Sequence, residues 1–179
     1  AKYFFSIVTS TPFIRDRFSS ANSKTIDINN FPIMEEFVNT DVDWSEKSAA
    51  VCYVGGMRRL RGVVECVEAI ALCQTPVTLY MAGSFSDSVF EKELDAMAGW
   101  KRIEYLGFLD RVGVAETYKK CMVGLVTLPP LPNYLDSLPV KLFEYMSAGI
   151  PVIASDIPLW KQIIEDANCG VFMLTGASG

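Results

Sequence analysis

The stretch from Asp136 to Ser155, D-S-L-P-V-K-L-F-E-Y-M-S-A-G-I-P-V-I-A-S, reads as a polar turn, a helix, a glycine stop and a short buried strand. Asp136 or Ser137 is expected to cap the helix, because a short side-chain oxygen can accept a bond from an orphaned first-turn N–H. Pro139 suits the first turn, where the N–H it lacks would have had no intrahelical partner. Leu142, Phe143 and Met146 recur at helical spacing and are expected to face inward. Gly149 fits the left-handed position that ends a helix, and Pro151 stops it from resuming. Val152, Ile153 and Ala154 then form an apolar strand.

Three charged groups, Asp136, Lys141 and Glu144, stand at or near the start of this helix. Lys141 and Glu144 are three apart and share a helical face. A helix start offers free N–H groups and a local positive pole, which suits a phosphate, and a lysine at the fourth helical position can reach the same anion. A carboxylate one turn further on can accept bonds from two vicinal sugar hydroxyls. Together these describe a pocket for a phosphorylated, hydroxyl-rich ligand such as a nucleoside diphosphate. The plainer alternative is a solvated i,i+3 salt bridge between Lys141 and Glu144.

Outward from this stretch the chain alternates strands and helices. Strands are expected at Ala49–Gly55, Val77–Ala82, Arg102–Leu106, Cys121–Thr127 and Gly170–Leu174, with helices at Val63–Cys73, Val89–Met97, Val114–Lys120 and Ile157–Asp166. About six β-α units in succession predict a doubly wound, mostly parallel Rossmann-like sheet. In such sheets ligands bind beyond the carboxyl ends of the strands, near the switch in strand order. The turns at Gly55 and Gly56, at Gly83, at Gly107 and at Asp136 all follow strands and can converge on one crevice. Gly56 to Gly62, with Arg58, Arg59 and Arg61, is a basic glycine turn, but it lacks the G-x-G-x-x-G dinucleotide fingerprint.

The central stretch resembles the signature of the family 4 glycosyltransferases, GT-B enzymes that use nucleotide-sugar donors. Their C-terminal domain carries two acidic residues with seven between them, here Asp136 and Glu144, followed by a tail matched by Ala148 to Ser155. The first acid is usually glutamate, so Asp136 is one methylene short. The resemblance implies half of a GT-B fold and a retaining, metal-independent sugar transfer from a UDP-, GDP- or ADP-sugar, with no cofactor. It implies that Glu144 binds the ribose, that Asp136 contacts the donor sugar, and that Arg61 and Lys141 hold the diphosphate together with the helix start at Leu138 and Pro139. It further implies that backbone near Leu109 reads the base. The same pocket would also serve a GT-B-like epimerase or phosphorylase, and a non-catalytic α/β module would leave it unused.

Composition narrows the classes. Half of the 179 residues are hydrophobic and 21% are charged, a globular balance. The net charge of −5 argues against nucleic-acid binding, which calls for a basic face. No apolar run approaches the roughly 18 residues of a membrane span. The five cysteines lie in apolar stretches without a C-x-x-C pair, as buried thiols of a reducing, cytoplasmic compartment do. With no histidine, a Ser-His-Asp set within these residues is excluded.

Before the main alternation, Tyr3–Thr9 reads as a strand, Pro12 to about Phe18 as a helix and Thr25–Ile28 as a second strand. By the resemblance, residues 1–35 are the trailing segment of a preceding domain and residues 36–48 a linker. Residues 49–179 are then the nucleotide-sugar-binding domain, cut short at its C-terminus. The acceptor, a glycan or lipid-linked sugar, is expected on that preceding domain, which would also make any contact with the inner membrane face. Asp41-Val42-Asp43 matches the D-x-D of metal-dependent transferases, but its polar surroundings assign it to a solvated loop, and no metal site is expected.

Overall fold

The computed structural model describes residues 2–38 and 44–173, so the Asp41-Val42-Asp43 triplet and Leu174 lie outside the described residues. Residues 7–27 form a small β-α-β unit: β1 (Ile7–Thr9), α1 (Pro12–Ser19) and β2 (Thr25–Asp27), with the strands paired in parallel. Thr11 caps α1 by accepting from the Ile14 N–H at 3.3 Å. The first strand is shorter than expected, beginning at Ile7 rather than Tyr3, and Tyr3, Phe4 and Phe5 are exposed. A 3₁₀ turn over Met34–Glu36 is followed by Phe37, whose ring is buried against Tyr118.

The main body alternates β3 (Ala50–Val54), α2 (Val63–Leu72), β4 (Thr78–Ala82), α3 (Ser88–Asp95), β5 (Ile103–Gly107), α4 (Arg111–Lys120) and β6 (Val123–Val126). It continues through α5 (Pro132–Leu135), α6 (Val140–Ser147), β7 (Val152–Ser155), α7 (Pro158–Ala167) and β8 (Gly170–Met173). The six strands β3 to β8 lie in the order β5-β4-β3-β6-β7-β8 and all pair in parallel. The expected sheet is therefore present and wholly parallel. Counted from β3, the order is that of the doubly wound nucleotide-binding fold, with its switch between β3 and β6. Both faces are covered, one by a core that includes Tyr118, Tyr145 and Trp160, the other by a core that includes Val67, Leu79 and Phe90. Burial on both faces explains the continuous apolar strands.

The helix of the central stretch begins later than expected, at Val140 rather than near Leu138, which makes Lys141 its second residue, not its fourth. Neither Asp136 nor Ser137 caps it. A short helix, α5, intervenes; Asp136 ends α5, and the Ser137 hydroxyl turns back to donate to the Tyr134 carbonyl at 2.9 Å. Trp160 Nε1 holds the Ser137 carbonyl at 2.7 Å, which fixes this turn. The inward face also differs. Leu142 and Tyr145 are buried, whereas Met146 is half-buried and Phe143 meets the Phe31 ring edge-on at 4.8 Å. Gly149 ends the helix with φ +67°, as expected.

Tyr145 decides how α6 sits on the sheet. A Cβ at Gly124 of β6 would lie 2.4 Å from the Tyr145 ring, so only glycine admits the ring there. The Tyr145 hydroxyl accepts the Val54 N–H at 3.3 Å, tying α6 to the last residue of β3. Tyr145→Phe is expected to cost about 1 kcal/mol, the net worth of one neutral hydrogen bond. Urea unfolding would read this, and a cost near zero would show that the hydroxyl contributes nothing to seating α6.

Candidate functional site

The loops at the carboxyl ends of β3, β4 and β5 are stitched together by backbone bonds. Gly55 N–H donates to the Ala82 carbonyl at 2.8 Å, Met57 N–H to Ser84 at 2.9 Å and Gly83 N–H to Gly107 at 2.7 Å. Gly83, with φ +141°, packs so closely that an added Cβ would stand 1.9 Å from the Gly55 carbonyl oxygen. A cleft of about 370 Å³ opens along this seam, lined among others by Gly55, Gly56, Arg58, Gly83, Phe108 and Leu109.

A second cleft of the same volume adjoins it at Val54 and Gly55, across the switch between β3 and β6. Gly55, Arg61, Tyr134, Ser137, Pro139 and Lys141 line it. Arg61 is placed by backbone contact: Gly62, at φ +70°, lies so close to Thr127 that a Cβ would reach 1.8 Å from its carbonyl oxygen. The Thr127 hydroxyl in turn donates to the Arg61 carbonyl at 3.0 Å.

Lys141 is the unusual residue of this cleft. Its residue exposure is only 9%, and its ammonium is buried with no hydrogen-bond partner among the described residues. The Nζ stands 3.7 Å from the centre of the Tyr53 ring and 3.2 Å from where a Gly55 Cβ would be. The ring face gives partial compensation for the lost hydration. Burial pushes the ammonium down from its ordinary 10.5 to about 7, and Arg61 pushes in the same direction. Two basic side chains thus face one cleft at the start of a helix that no side chain caps. Such an arrangement can hold an anion.

Glu144 does not pair with Lys141 among the described residues, so the plainer alternative of an i,i+3 salt bridge is not what the helix holds, and the two head groups stand in separate surroundings. Glu144 is buried against α4, where its Oε1 receives Arg111 Nη1 at 2.6 Å and its Oε2 receives the Tyr118 hydroxyl at 3.0 Å. The Arg111 guanidinium reaches on to Glu36, with its Nε at 2.7 Å, and lies over the Phe37 ring at 4.5 Å. Burial raises the Tyr118 phenol well above its ordinary range, and the adjacent Glu144 adds to the rise, so the hydroxyl remains a donor.

The fold therefore brings together Gly55, Arg61, Pro139 and Lys141 in one cleft, and Gly55, Gly56, Gly83 and Leu109 in its neighbour. Asp136, Leu138, Gly107 and Glu144 are not among the lining residues of either. Asp136 is half-buried at the end of α5, one residue from Ser137 on the cleft wall. Sequence reasoning passed over Arg111, Tyr118, Tyr53 and Phe108. Arg111 follows Asp110, the N-cap of α4, and its place in a first turn near a strand end was the signal available.

Residues 48–178 match the family described as Glycosyl transferases group 1. This chain belongs to that family. It is a glycosyltransferase domain with the fold of one Rossmann-like half of a GT-B enzyme. Among known proteins it is 30% identical over 122 residues to the phosphatidyl-myo-inositol mannosyltransferase of Mycobacterium leprae. That match covers 66% of this chain and 28% of the mannosyltransferase, so the chain spans under a third of that relative. HepE of Anabaena, solved in complex with UDP-glucose, superposes with a TM-score of 0.78 over 99% of this chain and 52% of its own, at 20% identity. The C-terminal domain of the group 1 transferase LpcC from Francisella tularensis superposes at 0.61 with 17% identity, covering 78% of each chain. Among the described residues, no helix is long and apolar enough to cross a membrane.

Proposed function

We propose that this glycosyltransferase domain binds a nucleoside diphosphate sugar in the paired clefts at the β3/β6 switch. The observation that carries the reading is the buried, unpartnered Lys141 ammonium facing the cleft that Arg61 also lines. A protein tolerates an unpaired buried cation where an anionic ligand repays its desolvation. HepE was solved with UDP and with UDP-glucose, which supports a uridine donor, with GDP- and ADP-sugars as the other candidates.

In this reading the diphosphate lies between Lys141, Arg61 and the first turn of α6. Base and ribose run along the neighbouring cleft, past Gly83 toward backbone at Leu109. Glu144 accepts from the ribose hydroxyls with the lone pairs that Arg111 and Tyr118 leave free. Asp136 reaches the donor sugar once the Ser137 turn adjusts around it. Transfer proceeds with retention and without a metal: the bond from the anomeric carbon to the diphosphate breaks, and the acceptor oxygen bonds on the same face. The acceptor proton passes to the departing diphosphate, whose negative charge Lys141 and Arg61 stabilise. The acceptor, a glycan or lipid-linked sugar, sits on a preceding domain of which residues 1–35 are the trailing segment and residues 36–48 the linker. That domain makes any contact with the inner face of a membrane, and the enzyme works in the cytoplasm. No cofactor takes part.

Titration calorimetry of the 179-residue chain against UDP, GDP and ADP tests this. Binding of one of the three is expected, and Glu144→Ala is expected to weaken it at least ~10-fold, as loss of a buried charged acceptor does. No heat with any nucleotide refutes the site. Unchanged binding by a folded Glu144→Ala chain moves the ribose elsewhere.

A further inference from the structure

Arg111 lines neither of the two clefts, yet it is the centre of a closed ring of contacts. Its guanidinium bridges two carboxylates, Glu144 on α6 at 2.6 Å and Glu36 in the 3₁₀ turn at 2.6 Å. Its flat face covers the Phe37 ring at 4.5 Å. Phe37 packs on the Tyr118 ring at 5.5 Å, and Tyr118 donates to the other oxygen of Glu144 at 3.0 Å. The ring returns to its start through residues from three separate elements: the 34–37 segment, α4 and α6.

This arrangement constrains Glu144 on both oxygens. The acid is nearly enclosed, with 9% side-chain exposure, while Arg111 is half-exposed at 49% and Glu36 intermediate at 33%. The outer half of the ring, Glu36 and Arg111, is therefore open to solvent, whereas the inner half is enclosed. A planar guanidinium serves here because its fork can meet two carboxylates at once and still stack on a ring. Lysine offers one point charge and no stacking face.

We propose that Arg111 is a positioning residue that couples the 34–37 segment to nucleotide binding by fixing the Glu144 carboxylate. The proposal rests on the assignment of Glu144 to the ribose. Docking of Glu36 and Phe37 holds Arg111, Arg111 holds Glu144 in one rotamer, and the ribose hydroxyls meet an acceptor already in place. Because coupling between two sites is reciprocal, nucleotide at Glu144 also steadies the 34–37 segment. A movement of that segment is thereby transmitted to the donor site through a single side chain.

Two measurements on the 179-residue chain test this. The first needs no ligand: amide exchange of residues 33–38. Glu144→Gln is expected to speed exchange there, because the weakened acceptor releases Arg111 from its far end, and Arg111→Met is expected to do the same. Unchanged exchange in a folded Glu144→Gln chain overturns the coupling. The second is UDP titration, made well below the melting temperature of each variant. Arg111→Met is expected to weaken binding about 5- to 20-fold, within the usual range of coupling between sites. Arg111→Lys should recover part of that loss, and Glu36→Gln should lose about 2- to 5-fold. A merely structural arginine would lower the melting temperature of Arg111→Met and leave the UDP affinity unchanged, which overturns the proposal. Should the wild-type chain bind none of UDP, GDP and ADP, the nucleotide assignment fails, and the exchange experiment still decides whether segment and acid are coupled.

Discussion

Lys141→Met is expected to make the protein more stable below pH 7 and to abolish most of its affinity for a diphosphate. The sign follows from the depressed ammonium, which titrates near 7 in the folded chain against 10.5 in an unfolded one. Below pH 7 both states carry the proton, and the folded state bears the full cost of the buried charge. Between pH 7 and 10.5 the unfolded chain keeps a proton that the folded chain has released, so wild-type stability rises with pH. Above 10.5 nothing further changes. Each unit of displacement is worth about 1.4 kcal/mol, and the Tyr53 ring face returns part of it, so the gain from methionine is on the order of a few kcal/mol at pH 6. It shrinks steadily from pH 7 upward. Thermal melts of both proteins at pH 6 and pH 9 measure this, and equal melting points at pH 6 would show that the ammonium is adequately solvated.

The binding half of the same prediction has a proton signature. At pH 8 the free Lys141 is mostly neutral, and a diphosphate returns it to the charged form, so binding takes up protons. Calorimetry in two buffers of different ionisation enthalpy is expected to show this uptake for the wild type and none for Lys141→Met. The affinity of the variant should fall by ~10²-fold, the usual scale for truncating one partner of a desolvated charge contact. A variant that binds UDP normally would remove Lys141 from the site.

Gly83→Ala is expected to have a large structural effect. Gly83 combines φ +141° with a gap that a Cβ would close to 1.9 Å from the Gly55 carbonyl oxygen. Alanine is strained in that region of backbone space, and the opposing atom is backbone, which cannot swing aside. The β3 and β4 loops must therefore separate, breaking the seam held by Gly55 N–H to Ala82 and Met57 N–H to Ser84. A loss above about 3 kcal/mol is expected, at the level of other changes that force main-chain movement in a core. Chemical denaturation would measure it. A stability change under about 1 kcal/mol would mean that the two loops part easily, and the shared rim of the clefts would then be pliable.

The comparison between sequence and fold is clearest at α6. Spacing placed Lys141 and Glu144 on one helical face, but three residues of separation says nothing about which distant side chain each meets. Glu144 found Arg111 and Tyr118 because α4 packs beside α6, and Lys141 reached over Tyr53 because β3 lies across the switch. The inward face was misjudged for a similar reason. Phe143 is the more hydrophobic ring, yet Tyr145 takes the core position, because Gly124 on another strand leaves a hollow that fits it and Val54 offers its hydroxyl a donor. The cap at Asp136 or Ser137 failed because α5 intervenes and gives Ser137 a nearer carbonyl.

Local chemistry, then, was sufficient for the alternating, mostly parallel sheet, the glycine turns at its open end and the left-handed stop at Gly149. Uninterrupted apolar strands and φ-demanding glycines are written residue by residue and need no distant partner to be recognised. The partners of Arg111, the inward turn of Tyr145 and the desolvation of Lys141 were decided by tertiary structure alone. Each depends on a surface contributed by a remote part of the chain, and the depth at which a charge is buried exists only once those parts have packed around it.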